Sequence, residues 1–152
     1  MPSVYEWLKF AHILLAIIAV GFNASYGIWL ARAAKGPGHE SFALRTIKVL
    51  DDRFANPAYA LLLVTGLLMI WQADIPLSTF WISTSIGIYA AVILLGLGVY
   101  TPTLRRQIRV LEEQGSGSED YRRLSTRGTV LGIVLAVLVI VIVFLMVTKP
   151  TL

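Results

Sequence analysis

Two of the 152 residues are histidines, His12 and His39, and there is no cysteine, so thiol and disulfide chemistry are excluded. His12 sits in an uncharged run that also contains Asn23. At about 100° per helical residue, Ala16, Ala19, Asn23, Tyr26 and Leu30 fall within about 40° of the direction of His12. One stripe therefore carries an imidazole, two small residues, an amide and a phenol. Two readings fit it. As a slot, the small side chains leave space for a flat cofactor or a lipid-like ligand, with His12 on a metal or haem iron and Asn23 and Tyr26 bonding the far edge. As a packing face, the small residues let a neighbouring helix approach, and His12 and Asn23 hydrogen-bond across to it.

If His12 held the iron of a haem b, a second ligand would have to lie at the same depth. Counting from the ends of the apolar stretches, Met69, Ser85 and Met146 come nearest to the level of His12, so a His/Met iron site is one arrangement open to the chain. Methionine in such a stretch also serves as plain apolar filler. His39 falls in a connection on the opposite side of the membrane from His12. No histidines and carboxylates recur at metal-ligand spacing, which argues against a hydrolytic metal centre. Without a nucleophile or acid–base constellation, the reading leans away from an enzyme.

The elements that carry these residues follow from composition. Hydrophobic residues make up 57% of the chain and charged residues only 14%, with a mean hydropathy of +0.73. A soluble domain carries roughly a quarter charged residues. The charges cluster and leave four uncharged stretches, Phe10–Ala31, Phe54–Ala73, Ile75–Leu104 and Gly128–Thr148. Each is long enough for a helix to cross a hydrocarbon core of about 30 Å. Membrane strands are excluded because the runs are continuously apolar rather than alternating. The expectation is an all-α fold, an antiparallel four-helix transmembrane bundle in one integral-membrane domain, 1–152. Its spans are set at about 5–31, 55–73, 79–101 and 127–148.

Ala31-Arg32-Ala33 spells a small-x-small site, but the apolar run before it exceeds the roughly 7–15 residues of a signal core and Glu6 stands in what would be a basic leader. The first stretch therefore reads as a span.

Of 13 Lys and Arg residues, 11 lie in two connections, between spans one and two and between spans three and four. The positive-inside rule places both loops in the cytoplasm and both termini outside, here for a bacterial inner membrane. A net charge of +4 thus reports topology and anionic headgroups, with no nucleic-acid partner expected. An amphipathic helix from about Ser41 to Leu50 either lies on the surface or extends span two. Beyond span three the chain continues as a second helical extension, and Gly115-Ser116-Gly117-Ser118 turns it back. Between these segments, Asp51-Asp52-Arg53 before Asn56-Pro57 either pairs with Arg105 or Arg122 and locks the loops, contacts a partner, or stays solvated. Glycines 21, 27, 66, 87, 96, 98 and 132 read as close-packing points, compatible with a homo-oligomer or a membrane-protein partner.

The chain resembles an uncharacterised bacterial integral-membrane family, the domain of unknown function 2269. The likeness rests on Trp7-Leu8-Lys9-Phe10-Ala11-His12, Thr65-Gly66-Leu67, Thr101-Pro102-Thr103-Leu104-Arg105, Asp120-Tyr121-Arg122-Arg123-Leu124 and Phe144 to Pro150. It implies a four-helix membrane protein and no particular activity. More distantly, Leu8-Lys9-x-x-His12, Asn56-Pro57 and Lys149-Pro150 are similar to the short haem-binding protoporphyrinogen oxidase of bacteria. That resemblance implies haem on the first-span histidine together with a lysine in span three. Here span three opens Phe80-Trp81-Ile82-Ser83-Thr84-Ser85 and contains no lysine. The functional expectations are a non-enzymatic accessory subunit or lipid-like binder, then a haem redox protein on His12. A small transporter comes last, for want of a deep charge.

Overall fold

The computed structural model describes residues 2–36 and 38–150, so Pro37 of the Gly36-Pro37-Gly38 breaker lies outside the described residues. Four long helices account for nearly all of it: α1 (Val4–Ala33), α2 (His39–Gln72), α3 (Phe80–Gln114) and α4 (Glu119–Thr148). Each is long and apolar enough to cross a membrane. Large apolar side chains stay uncovered along all four, including Ile17, Leu67, Leu94 and Val147, as expected where lipid rather than water surrounds the helices.

Local chemistry sets the helix ends. Ser3 caps α1 in a reciprocal box with Glu6, whose carboxylate accepts the Ser3 N–H at 2.6 Å. Ser118 accepts the Tyr121 N–H at 3.3 Å to start α4. Gly115 closes α3 at φ +81°, a left-handed turn that a side chain would strain.

Both middle helices carry a π turn, Asp51–Ala55 in α2 and Gly96–Tyr100 in α3. Each turn runs directly into an X-Pro pair, Asn56-Pro57 or Thr101-Pro102. Proline lacks an N–H and its ring clashes with the carbonyl four residues back. The wider turn relieves both problems: Asn56 N–H bonds back to the Asp51 carbonyl and Thr101 N–H to that of Gly96, five residues each. The predicted amphipathic segment is thus the first half of α2, continuous with span two, and is not a separate surface helix.

α1 packs along α2 and α3 along α4, with a lighter seam between α1 and α4. The backbones of α2 and α3 come close through their extensions, His39–Leu50 against Thr101–Gln114, while their apolar halves touch through side chains such as Tyr59 and Tyr89. Their apolar halves splay, so the bundle is closed at the loop end and open on one side towards the termini. The closed end is held by Leu44 and Ile47 of α2, Leu104 and Val110 of α3, Tyr26 and Tyr121. A second core, of Ala19, Ala55, Ala58, Tyr59, Val92 and Val139, joins all four helices nearer mid-membrane.

Of the alternatives open to Asp51-Asp52-Arg53, pairing with Arg105 or Arg122 does not occur among the described residues. Asp52 pairs with Lys48 one turn away, and the extensions are linked instead by Arg45 and Glu112. That exposed pair contributes at most about 1 kcal/mol. Asp51 is buried, with the Asn56 amide as its donor at 3.4 Å. Asp51 lies outside the apolar stretch, and burial together with the neighbouring Asp52 carboxylate raises its pKa above the ordinary range. A carboxyl with a higher pKa folded than unfolded holds its proton better in the native state. The stability it contributes is therefore present in acid and is lost as pH rises through the folded value. Asp51→Asn is expected to raise the thermal midpoint at neutral pH, with the gain shrinking in acid. Equal midpoints across the whole pH range would contradict this account.

The glycines also depart from expectation. A Cβ added at Gly21, Gly27, Gly87, Gly96 or Gly98 would meet nothing within 4 Å, so these do not mark close approach between helices of this chain. At Gly66 it would stand 3.2 Å from the His12 ring, and at Gly132 it would touch Tyr100 at 4.0 Å.

Candidate functional site

The splayed side opens into a cavity of about 110 Å³ between all four helices, at the end nearer the termini. α1 contributes His12, Ala16 and Val20, and α4 contributes Val139, Ile142, Val143 and Met146. Tyr59, Leu62 and Gly66 of α2 face Ser85 and Tyr89 of α3. Leu63, Leu67 and Val143 line it while remaining exposed, so its mouth opens sideways to lipid. Below the mouth the Tyr89 hydroxyl crosses the gap and donates to the Tyr59 carbonyl at 2.5 Å.

His12 is fixed by α2. Its Nδ1 lies 2.8 Å from Thr65 Oγ1, and the same oxygen lies 2.8 Å from the Leu61 carbonyl and 3.2 Å from that of Leu62. In the back-bond usual for a helical threonine, the single Thr65 proton goes to the Leu61 carbonyl. The Thr65 oxygen then accepts from His12 Nδ1–H. In the neutral ring this leaves Nε2 with a lone pair, and Nε2 has no hydrogen-bond partner among the described residues. The imidazole can lie flat against α2 because residue 66 has no Cβ.

Ser85 is a further polar group of the cavity wall, beside Tyr59 and Tyr89. It is 1% exposed, and its hydroxyl has no hydrogen-bond partner among the described residues. An orphaned buried hydroxyl costs roughly 1–3 kcal/mol, and native structures leave few of them without a reason.

The predicted stripe is divided by the fold. His12 and Ala16 reach the cavity. Ala19 is fully buried in the central core and does not line it. Asn23 donates to the Tyr59 hydroxyl at 2.5 Å, and Tyr26 packs with Leu44 and Ile47 at the loop end. Neither reaches the far edge of a ligand on His12. Of the residues placed at the depth of His12, Ser85 and Met146 line the cavity and Met69 does not.

The sequence reading did not pick out Thr65 as the partner of His12. The signal for it was its depth in the span of about 55–73, where it stands about as far from the end as His12 stands from the start of the span of about 5–31. Ser85 was noticed only for depth, because burial without a partner has no sequence signature.

His12 and Met146 both line the cavity, but as it stands the space does not enclose a haem. Small-molecule pockets usually measure about 300–1,000 Å³, well above this cavity.

A family described as "Predicted integral membrane protein (DUF2269)" matches residues 6–150. The chain belongs to this family. No curated protein and no solved structure matches the chain. The match takes in His12, Thr65, Gly66 and Ser85, so the whole cavity lies inside the family region.

Proposed function

We propose that this integral membrane protein is a non-enzymatic binder of a lipid-like molecule, held in the cavity between its four helices. The observation that carries the reading is the buried Ser85 hydroxyl, unpartnered among the described residues, in the wall of an otherwise largely apolar cavity that opens sideways at Leu63, Leu67 and Val143. A ligand dissolved in the bilayer reaches that mouth without crossing water. Its volume is near that of an engineered cavity of about 150 Å³ that takes benzene, so the site holds one end of a lipid while the rest stays among the acyl chains. No Asp, Glu, Lys or Arg lines the cavity, which disfavours a charged headgroup inside it.

With the basic loops cytoplasmic and the termini outside, the cavity belongs to the outer leaflet of a bacterial inner membrane. Mass spectrometry of lipids extracted from the purified protein tests the reading. One species retained at a fixed ratio to protein is expected, and a lipid profile identical to that of the surrounding membrane would remove the support.

The haem reading rests on His12 Nε2, with Met146 on the same cavity wall, and the cavity volume stands against it. Haem supplied to the purified protein is expected to give no Soret absorption that depends on His12. A band that disappears in His12→Ala would reinstate iron at this histidine.

A further inference from the structure

The polar groups of the cavity select the head of the ligand, an inference that rests on the lipid-binding reading above. With the Thr65 hydroxyl back-bonded to Leu61, the proton of the neutral His12 ring sits on Nδ1 and Nε2 is the acceptor. Ser85 Oγ has no partner among the described residues and lies buried in the cavity wall, so a ligand hydroxyl reaches it only as the wall side chains part. An acceptor and a hydroxyl in one apolar pocket complement a group that both donates and accepts. We infer that the cavity takes the neutral hydroxyl end of a membrane lipid, which donates to His12 Nε2 and accepts from Ser85 Oγ. A carbonyl or ether has no proton for Nε2. A phosphate or ammonium would enter a cavity wall without a countercharge, at a cost an apolar medium makes large. Two membrane sources share this chemistry: a quinol, whose phenolic ring is about the size of benzene, and a long-chain or isoprenoid alcohol.

The test uses the full chain in detergent and three probes: a benzoquinol with a short alkyl tail, its dimethyl ether and a straight-chain fatty alcohol. Calorimetric titration is expected to show at least one hydroxyl probe binding about tenfold or more tighter than the ether, the loss of one well-placed hydrogen bond. Binding of the quinol alone identifies an aromatic hydroxyl, and binding of the alcohol alone an aliphatic one.

Ser85→Ala and His12→Phe are each expected to weaken the hydroxyl probe about tenfold and to leave the ether unchanged. Ser85→Ala removes a group that already lacks a partner, so its thermal midpoint should equal or exceed that of the wild type. That separates a binding role from a structural one. An ether that binds as tightly as the hydroxyl probes, or a Ser85→Ala protein with full hydroxyl affinity, would overturn the hydroxyl assignment while lipid retention by the wild type still stood. Failure of all three probes, together with no lipid retained by the wild type, would overturn the assignment and the lipid-binding reading alike.

Discussion

Ala16→Phe is expected to strip the purified protein of its bound lipid while leaving its thermal midpoint close to that of the wild type. Ala19→Phe is expected to cost the fold itself. The two alanines lie one turn apart on the same face of α1, and a reading of the stripe alone treats them alike. Ala16 borders the cavity of about 110 Å³, so a phenyl ring has space to enter and fills the volume the ligand would use. Ala19 is 0% exposed among Ala55, Ala58, Tyr59 and Val92, where no such space exists. Overpacking a close-fitted core typically costs about 1–3 kcal/mol, and a jump from methyl to benzyl lies at the upper end or beyond. Lipid extraction and thermal unfolding on the same preparations give both readouts. An Ala16→Phe protein that keeps its lipid would place the ligand elsewhere, and a wild-type-like midpoint for Ala19→Phe would mean that the helices are not packed as described.

Substitution at Gly66 should show a graded effect that passes through His12. In a helix interior, alanine outranks glycine by about 1 kcal/mol. At Gly87, where a Cβ meets nothing, that gain should appear undiminished and lipid retention should not change. At Gly66 the new methyl stands 3.2 Å from His12 Cε1, so the ring must give by a few tenths of an ångström and the 2.8 Å bond to Thr65 loosens. Gly66→Ala is therefore expected near the wild type in stability and weaker for a hydroxyl ligand. Gly66→Leu cannot be accommodated by so small a shift: it should push the imidazole off α2 and reduce retention about tenfold or more, matching His12→Phe. Titration of the series Gly, Ala, Leu, with Gly87→Ala as control, measures this directly. Equal affinity across the three would show that the position of His12 on α2 does not matter.

Much of this architecture was legible before any coordinates. Four uncharged runs of sufficient length and two basic connections define four membrane helices and group their ends, because hydropathy and charge add up locally along a chain. Pro57 and Pro102 marked the joints, although their effect is a π turn rather than a break. The residues at the depth of His12 were also partly visible, since rise per residue is constant, and Ser85 and Met146 do line its cavity.

Sequence could not tell which neighbour each residue meets. Helical periodicity gives a direction around one axis, but it leaves open how far the next helix stands along that direction. His12, Ala19 and Tyr26 point the same way on α1, yet one faces a cavity, one a close-packed core and one the closed loop end. The glycines show the same limit: only the separation of helices decides that Gly66 holds a ring and that Gly87 faces open space.

The sequence by itself therefore determined the number, length and polarity of the helices, because those properties are sums over neighbouring residues. Only the tertiary structure decided that α2 and α3 splay, that Thr65 sets the free nitrogen of His12, and that Ser85 is left without a partner. Each of these depends on distances between segments far apart in the chain, and only packing sets such distances.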